Sequence, residues 1–171
     1  MTSHRTNPDN PRIVIGSLCY IFYEQQVLLL KRLNPPFQGL WTAPGGKMVF
    51  GESPQECCLR EVYEETSIHI KAPELCAIQT VVDIAIPIHW QLFIYRARLA
   101  KKLNPQHQPD HHEGKFRWFA LDELPSIDRP YTDKQHWSHI LKNDTVVWRG
   151  KFVYDTPYHL VDEQIVDAEN P

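Results

Sequence analysis

Residues 46–68 read GKMVFGESPQECCLREVYEETSI, and the fold follows from how this stretch forms a helix. Ser53 offers an N-cap hydroxyl, Pro54 suits the first helical position, and Glu56 completes a Ser-x-x-Glu capping box. Once the helix is running, Glu61, Glu64 and Glu65 stand at i, i+3 and i+4 and share an arc of about 100°. Cys58, Leu59 and Val62 fall on an adjoining arc suited to packing on a sheet, with the glutamates expected to point out of that packing surface. Each like-charge pair costs about 0.2–0.5 kcal/mol at this spacing. A solvated surface tolerates such a cost. The Gly45-Gly46 pair just upstream suggests another use for the charge, because glycine permits close backbone approach and can aim a carbonyl oxygen at the same point as the carboxylates. Hard oxygen ligands with room left for water suit Mg²⁺, which usually arrives holding phosphates, so the implied chemistry is at phosphorus.

The spacing itself, Gly46, five residues, Glu52, seven residues, then Arg60-Glu61-Val62-Tyr63-Glu64-Glu65, resembles the Nudix box of the MutT-like hydrolases. The resemblance implies an α/β Nudix fold, a mixed β-sheet sandwiched between α-helices. It also implies hydrolysis of a nucleoside diphosphate linked to another group by attack of water on phosphorus. Carried over position by position, the Gly45 carbonyl, Glu61, Glu64 and Glu65 become ligands of Mg²⁺, with Mn²⁺ as the other candidate ion. One of the glutamates, or a further carboxylate, accepts the water's proton. Arg60 and Glu52 support the catalytic edge. Arg60 has two available partners, Glu56 along the helix and Glu52 behind it. The chain departs from the family at Ser67, where the pattern has glycine at the left-handed turn closing the helix, a change worth about 1 kcal/mol.

A second segment extends the resemblance. His112-Glu113-Gly114-Lys115-Phe116-Arg117-Trp118-Phe119, followed by Leu121-Asp122-Glu123-Leu124-Pro125, is similar to the region after the box in MutT-like enzymes, which places Glu113 in the metal site. His111 and His112 read as exposed loop residues. Tyr131-Thr132-Asp133-Lys134-Gln135-His136-Trp137 resembles the base-recognition stretch of oxidised-purine triphosphatases, with Tyr131 stacking on a base and Asp133 hydrogen-bonding its edge. Lys134 stands where that group has a second aspartate, and Thr42 replaces an amide-bearing residue in contact with the base. Trp148-Arg149-Gly150-Lys151-Phe152 continues the likeness. Trp41, Trp118, Trp137 and Trp148 are expected mainly as core anchors. The implied activity is Mg²⁺-dependent hydrolysis of a nucleoside triphosphate to monophosphate and pyrophosphate, with oxidised purine nucleotides such as 8-oxo-dGTP as candidates. Cleavage of ADP-ribose or another nucleoside diphosphate sugar is the alternative within the family. A non-catalytic nucleotide-sensing module is the alternative outside catalysis, although such modules usually lose box carboxylates that this chain keeps.

Composition sets the bounds. With 171 residues, a net charge of −3 and 42% hydrophobic residues, the chain is sized for one domain with a sizeable core, expected at residues 12–166 between a disordered arm, 1–11, and a flexible tail, 167–171. No long apolar run suggests a membrane span, the polar first residues are unlike a signal peptide, and the weak negative charge argues against binding nucleic acid polymers. Cys19, Cys57, Cys58 and Cys76 lack metal-ligand spacing and read as reduced buried thiols, consistent with a cytoplasmic protein. A nucleotide substrate is the expected partner, and monomer and homodimer both remain open. Strands are predicted at 13–22, 27–32, 68–71, 75–83, 88–99 and 116–120, with a helical turn from 121 and a helix at 132–141. A terminal hairpin of 146–154 and 158–165 closes the order, and 101–112 reads as loop.

Overall fold

The structure, a computed structural model, describes residues 11–106, 114–142, 146–156 and 159–166. Its first strand, β1 (Arg12–Tyr23), turns at Glu24, a residue at φ 50°, into β2 (Gln26–Arg32). Two short strands follow, β3 (Trp41–Thr42) and β4 (Gly45–Lys47), leading into helix α1 (Pro54–Thr66). Then come β5 (Glu74–Asp83), β6 (Ile88–Arg98), β7 (Gly114–Ala120), a 3₁₀ turn (Leu121–Ser126), α2 (Tyr131–Gln135), α3 (Trp137–Leu141), β8 (Trp148–Thr156) and β9 (His159–Val166).

These strands make one mixed sheet in the order β3-β2-β1-β6-β5-β8-β9, with β4 also paired to β1 and β7 to β2. Strand β1 is the pivot. It runs parallel to β6 from Arg12 opposite Ile88 to Phe22 opposite Arg98. On its other edge it changes partner, meeting β4 at Gly16, Ser17 and Leu18 and β2 at Ile21, Phe22 and Tyr23. Strand β2 leaves that hairpin to pair with β7 along its length.

Because successive side chains on a strand face opposite ways, β1 feeds two cores. Tyr20 and Phe22 join Val27, Leu29, Phe119, Trp148 and Phe152 on the face that α3 covers through Ile140. Cys19 and Ile21 join Leu28, Cys58, Val62, Ile68 and Tyr95 on the face covered by α1. The expected sandwich of a mixed sheet between helices is therefore present. Trp148 is a core residue, Trp41 and Trp137 pack against the first core, and Trp118 packs against the second. All four cysteines are buried thiols outside any disulfide. Among the described residues no helix is long and apolar enough to cross a membrane.

Two expected elements differ. Residues 68–71 are not a strand, although Ile68 and Ile70 alternate inward into the α1-side core. Alternation satisfies burial, but a strand also needs a ladder partner for its backbone, and among the described residues no strand pairs with this segment. The helix expected at 132–141 begins at Tyr131 and divides at His136, whose φ and ψ of −90° and −1° break the α-helical run while its side chain turns inward. The terminal hairpin forms as expected, apart from residues 157 and 158, which lie outside the described residues together with the arm, the tail and 107–113.

Phe152 is fully buried between the sheet and the aromatic rings of Trp148 and Tyr131. Replacing it with alanine is expected to cost about 3–5 kcal/mol, seen in chemical denaturation as a lower midpoint at an unchanged slope.

Candidate active site

The box helix starts as its sequence dictates. Ser53 Oγ accepts the Glu56 N–H at 3.2 Å, and Glu56 Oε2 accepts the Ser53 N–H at 2.8 Å. Ser17 Oγ donates to the Pro54 carbonyl at 2.6 Å, fastening the first turn to β1. The helix ends at Ser67, which adopts the left-handed conformation at φ 58° and ψ 18° and donates its N–H to the Tyr63 carbonyl. The serine thus takes up the backbone conformation that the family's glycine would hold, and the closing turn is preserved.

Glycine is required where the chain approaches this helix. Gly45 sits at φ 143°, and a Cβ there would lie 2.1 Å from the Ser17 carbonyl oxygen on β1. Its N–H donates to Glu65 Oε2 at 2.9 Å. At Gly46 a Cβ would fall 2.6 Å from the carboxylate atoms of Glu61. The glycine pair therefore brings a main chain against two of the three box glutamates. Glu65 is 3% exposed, its carboxylate held at the Gly45 N–H.

Arg60 settles its alternatives in favour of Glu52. Its guanidinium donates to both Glu52 oxygens, at 2.5 Å and 3.0 Å, to Glu61 Oε1 at 2.8 Å, to Glu64 Oε2 at 3.0 Å and to the Lys47 carbonyl at 3.0 Å. Glu56 is occupied in the capping box instead. One cation thus bridges three carboxylates and offsets the repulsion that the spacing creates. The Arg60 hydrogen bond, aided by the Val49 N–H, pulls the Glu52 carboxyl down to about 2, and the Arg60 pKa is raised in return.

The donor set suits a hard divalent cation. It is all oxygen, and the Glu61 carboxylate fills the space that the missing Cβ of Gly46 leaves. Among the described residues no three carboxylate, imidazole or thiol side chains converge on one point. Glu61 and Glu65 meet at the glycine turn, whereas Glu64 is turned towards Arg60. Glu113, expected to complete the set, and His111 and His112 lie outside the described residues.

The residues assigned to a base lie on the opposite face of the sheet, where α2 and α3 pack. Asp133 is buried and accepts the Tyr20 hydroxyl proton at 3.1 Å, and the same hydroxyl lies 3.2 Å from His136 Nε2. With the phenol O–H directed at Asp133, the Tyr20 oxygen is left to accept, so Nε2 of His136 carries the proton and donates. Burial lifts the Asp133 carboxyl to about 6, against the pull of Tyr20 and Arg129, and drops the His136 imidazole to about 3. Thr42 is buried beside Ala43 at the end of β3. Tyr131 is 44% exposed and donates to Glu163 Oε2 on β9 at 3.0 Å. Sequence reading passed over Tyr20, Arg129 and His136. Tyr20 did leave a trace, a phenol in the all-apolar run from Leu18 to Phe22 whose hydroxyl needs a buried partner.

A carboxylate-bearing helix braced against a glycine turn, on a mixed sheet with helices on both faces, defines a class of phosphate-directed hydrolases. The NUDIX domain profile matches residues 13–141. The Nudix hydrolase YvcI of Bacillus subtilis (strain 168), itself named as uncharacterized, is 28% identical over 150 residues, covering 86% of this chain and 90% of YvcI. The ADP-ribose pyrophosphatase of Methanocaldococcus jannaschii is 37% identical over 74 residues, 43% of each chain. The crystal structure of a MutT protein from Bacillus halodurans superposes with a TM-score of 0.75 at 32% identity, covering 92% of this chain and 99% of that one. The chain belongs to the Nudix family and is a Nudix hydrolase, an enzyme of nucleotide derivatives; the family generally uses a divalent metal.

The two glycines are expected to separate stability from activity. At Gly46 the atom met is the flexible end of Glu61, so Gly46→Ala should leave the unfolding free energy within about 1 kcal/mol while displacing Glu61 and lowering kcat. At Gly45 the obstacle is backbone and φ is positive, so Gly45→Ala should destabilise by more than about 1 kcal/mol. Paired melting curves and turnover assays check both.

Asp133 gives a pH signature. Its folded pKa, about 6, lies above the ordinary 3.8, so between those values the folded state holds a proton that the unfolded state releases. Stability therefore falls as pH rises through that window. Asp133→Asn, whose carbonyl still accepts from Tyr20, is expected to be about 1–3 kcal/mol more stable than the parent at pH 8. Near pH 3.5 the difference should vanish. Thermal denaturation at the two pH values measures this.

Proposed function

We propose that this Nudix hydrolase is a Mg²⁺-dependent nucleoside triphosphate pyrophosphohydrolase, releasing monophosphate and pyrophosphate, with oxidised purine deoxynucleotides such as 8-oxo-dGTP among its substrates and Mn²⁺ able to replace Mg²⁺. The observation that carries the reading is the approach of Glu61 and Glu65 to the backbone of Gly46 and Gly45. The resemblance of residues 131–137 and 148–152 to oxidised-purine triphosphatases supports a triphosphate substrate.

In this reading the Gly45 carbonyl, Glu61, Glu64, Glu65 and Glu113 hold the ion. When bound, the ion lowers the pKa of a water and offsets charge on phosphate oxygens. Water adds to one phosphorus of the α–β bridge, its proton passes to a box carboxylate, and the bridging P–O bond breaks. Arg60 holds Glu61 and Glu64 at fixed positions, and Glu52 holds Arg60. Thr42, Tyr131 and Asp133 grip the base. The protein works in the cytoplasm as a monomer or homodimer, with neither a nucleic acid polymer nor a membrane as partner.

A second reading, cleavage of ADP-ribose or another nucleoside diphosphate sugar, is favoured by the match to the Methanocaldococcus enzyme, which is confined to less than half of the chain. A purely sensory module is disfavoured because Glu61, Glu64 and Glu65 are all retained. Products of triphosphates, oxidised triphosphates and ADP-ribose, assayed with and without Mg²⁺, discriminate among the three. Pyrophosphate release supports the first reading, and ribose 5-phosphate with AMP supports the second. Glu65→Gln is expected to lower kcat by more than the 10- to 100-fold typical of losing an outer partner of a metal ligand, with an unchanged melting curve. Near-normal turnover in that variant would remove the proposed site.

A further inference from the structure

Arg129, just ahead of α2, is only 8% exposed, and its Nε and Nη1 have no hydrogen-bond partner among the described residues. Its Cζ lies 5.0 Å from the centroid of the Trp137 ring. That contact uses the face of the guanidinium and leaves its in-plane N–H bonds to be met by something else. The Asp128 carbonyl accepts the Trp41 N–H at 2.9 Å, which brings residue 129 beside Thr42, whose buried Oγ1 also has no partner. The Arg129 charge is felt at Tyr20, Asp133 and His136. A charged donor kept out of water and left unpaired is among the costlier arrangements in a protein. Arg129, Thr42 and Asp133 each keep a sliver of exposure, whereas Tyr20 and His136 keep none. The unpaired donors thus belong to the less enclosed residues of the polar cluster.

We propose that Arg129 is a specificity-determining residue of the base subsite, donating with Thr42 to the O6 edge of a 6-oxopurine. The inference rests on the triphosphate reading above. Guanine and hypoxanthine present O6 and N7 as adjacent acceptors, the pair to which arginine donates as a fork, whereas adenine offers N7 beside an N6 amino donor. An amino group facing Arg129 leaves donor against donor in a dry site, and sites built on hydrogen bonds reject such analogues strongly. 8-Oxoguanine keeps O6 but carries a proton on N7, so it can take the O6 contact from Arg129 and Thr42 and not the fork; O6 is the one acceptor common to the class. Asp133 can only accept when ionised, so it complements the N1–H and 2-amino donors that guanine carries on its other edge. Arg129 thereby reads position 6, and Asp133 reads position 2.

The experiment compares kcat/KM for GTP, ITP and ATP, together with binding of GMP, IMP and AMP measured by calorimetry without added metal. The parent enzyme is expected to favour both GTP and ITP over ATP by roughly 10- to 100-fold, with the monophosphates ranked alike. Arg129→Gln, and Arg129→Lys, which keeps the charge but loses the fork, should reduce that preference to about threefold or less. A parent enzyme that does not prefer 6-oxopurines overturns the inference even if neither variant folds. So does an undiminished preference in a variant with parental circular dichroism. Hydrolysis of ADP-ribose with no action on any triphosphate would instead remove the triphosphate reading and this inference together, which keeps the two failures distinct.

Discussion

The close approach of β4 to β1 is the constraint from which the site is built. A side chain at residue 45 would collide with the Ser17 carbonyl, so only glycine lets β4 pair where β1 has parted from β2. That pairing sets the height of the glycine turn over α1, and the turn in turn gives Glu65 a backbone donor and Glu61 an unobstructed seat. Ser17 acts at the same place from the other side, holding the first turn of α1 through Pro54. Helix, strand and turn are thus fixed against one another by backbone contacts, which tolerate little displacement compared with contacts between long side chains.

The two faces of the sheet carry different electrostatic arrangements. On the α1 face, charge is concentrated and partly wet, with Arg60 shared among Glu52, Glu61 and Glu64. Exposed ion pairs of this kind contribute little to stability one by one, and the network's main effect is to hold carboxylates in position. On the opposite face, charge is sparse and dry. Asp133 and His136 are buried around the Tyr20 hydroxyl, so desolvation there moves proton affinities far more than pairing does. Strand β1 separates the two, with Cys19 and Ile21 facing one and Tyr20 facing the other.

Much of this was legible in residue order. The capping box, the hairpin at Glu24 and the sandwich of sheet and helices all follow from local rules that the tertiary structure leaves in force, whereas Ser67 holds the left-handed turn against its own preference. What local rules missed is informative. Residues 68–71 alternate like a strand, yet ladder pairing depends on neighbours that periodicity does not reveal. The Gly45-Gly46 pair signals a close backbone approach to the glutamates, but helical phase does not show that the contact made is the Gly45 N–H donating to Glu65. Arg60 had two partners at suitable spacing, and the choice fell to Glu52 because Glu56 was already committed to the Ser53 N–H. The polar cluster around Tyr20 joins residues more than one hundred positions apart, a separation at which spacing carries no signal.

The last strand lies at the margin of the sheet with most of its side chains in solvent, and its Glu163 holds the hydroxyl of Tyr131. Strand β9 therefore works as a latch on α2 rather than as a wall of the core. Fraying at this sheet edge would release the Tyr131 hydroxyl on a short helix that has no side-chain cap and would lift Leu160 from the first core. The position of the Tyr131 ring is thereby tied to the pairing of β9 with β8.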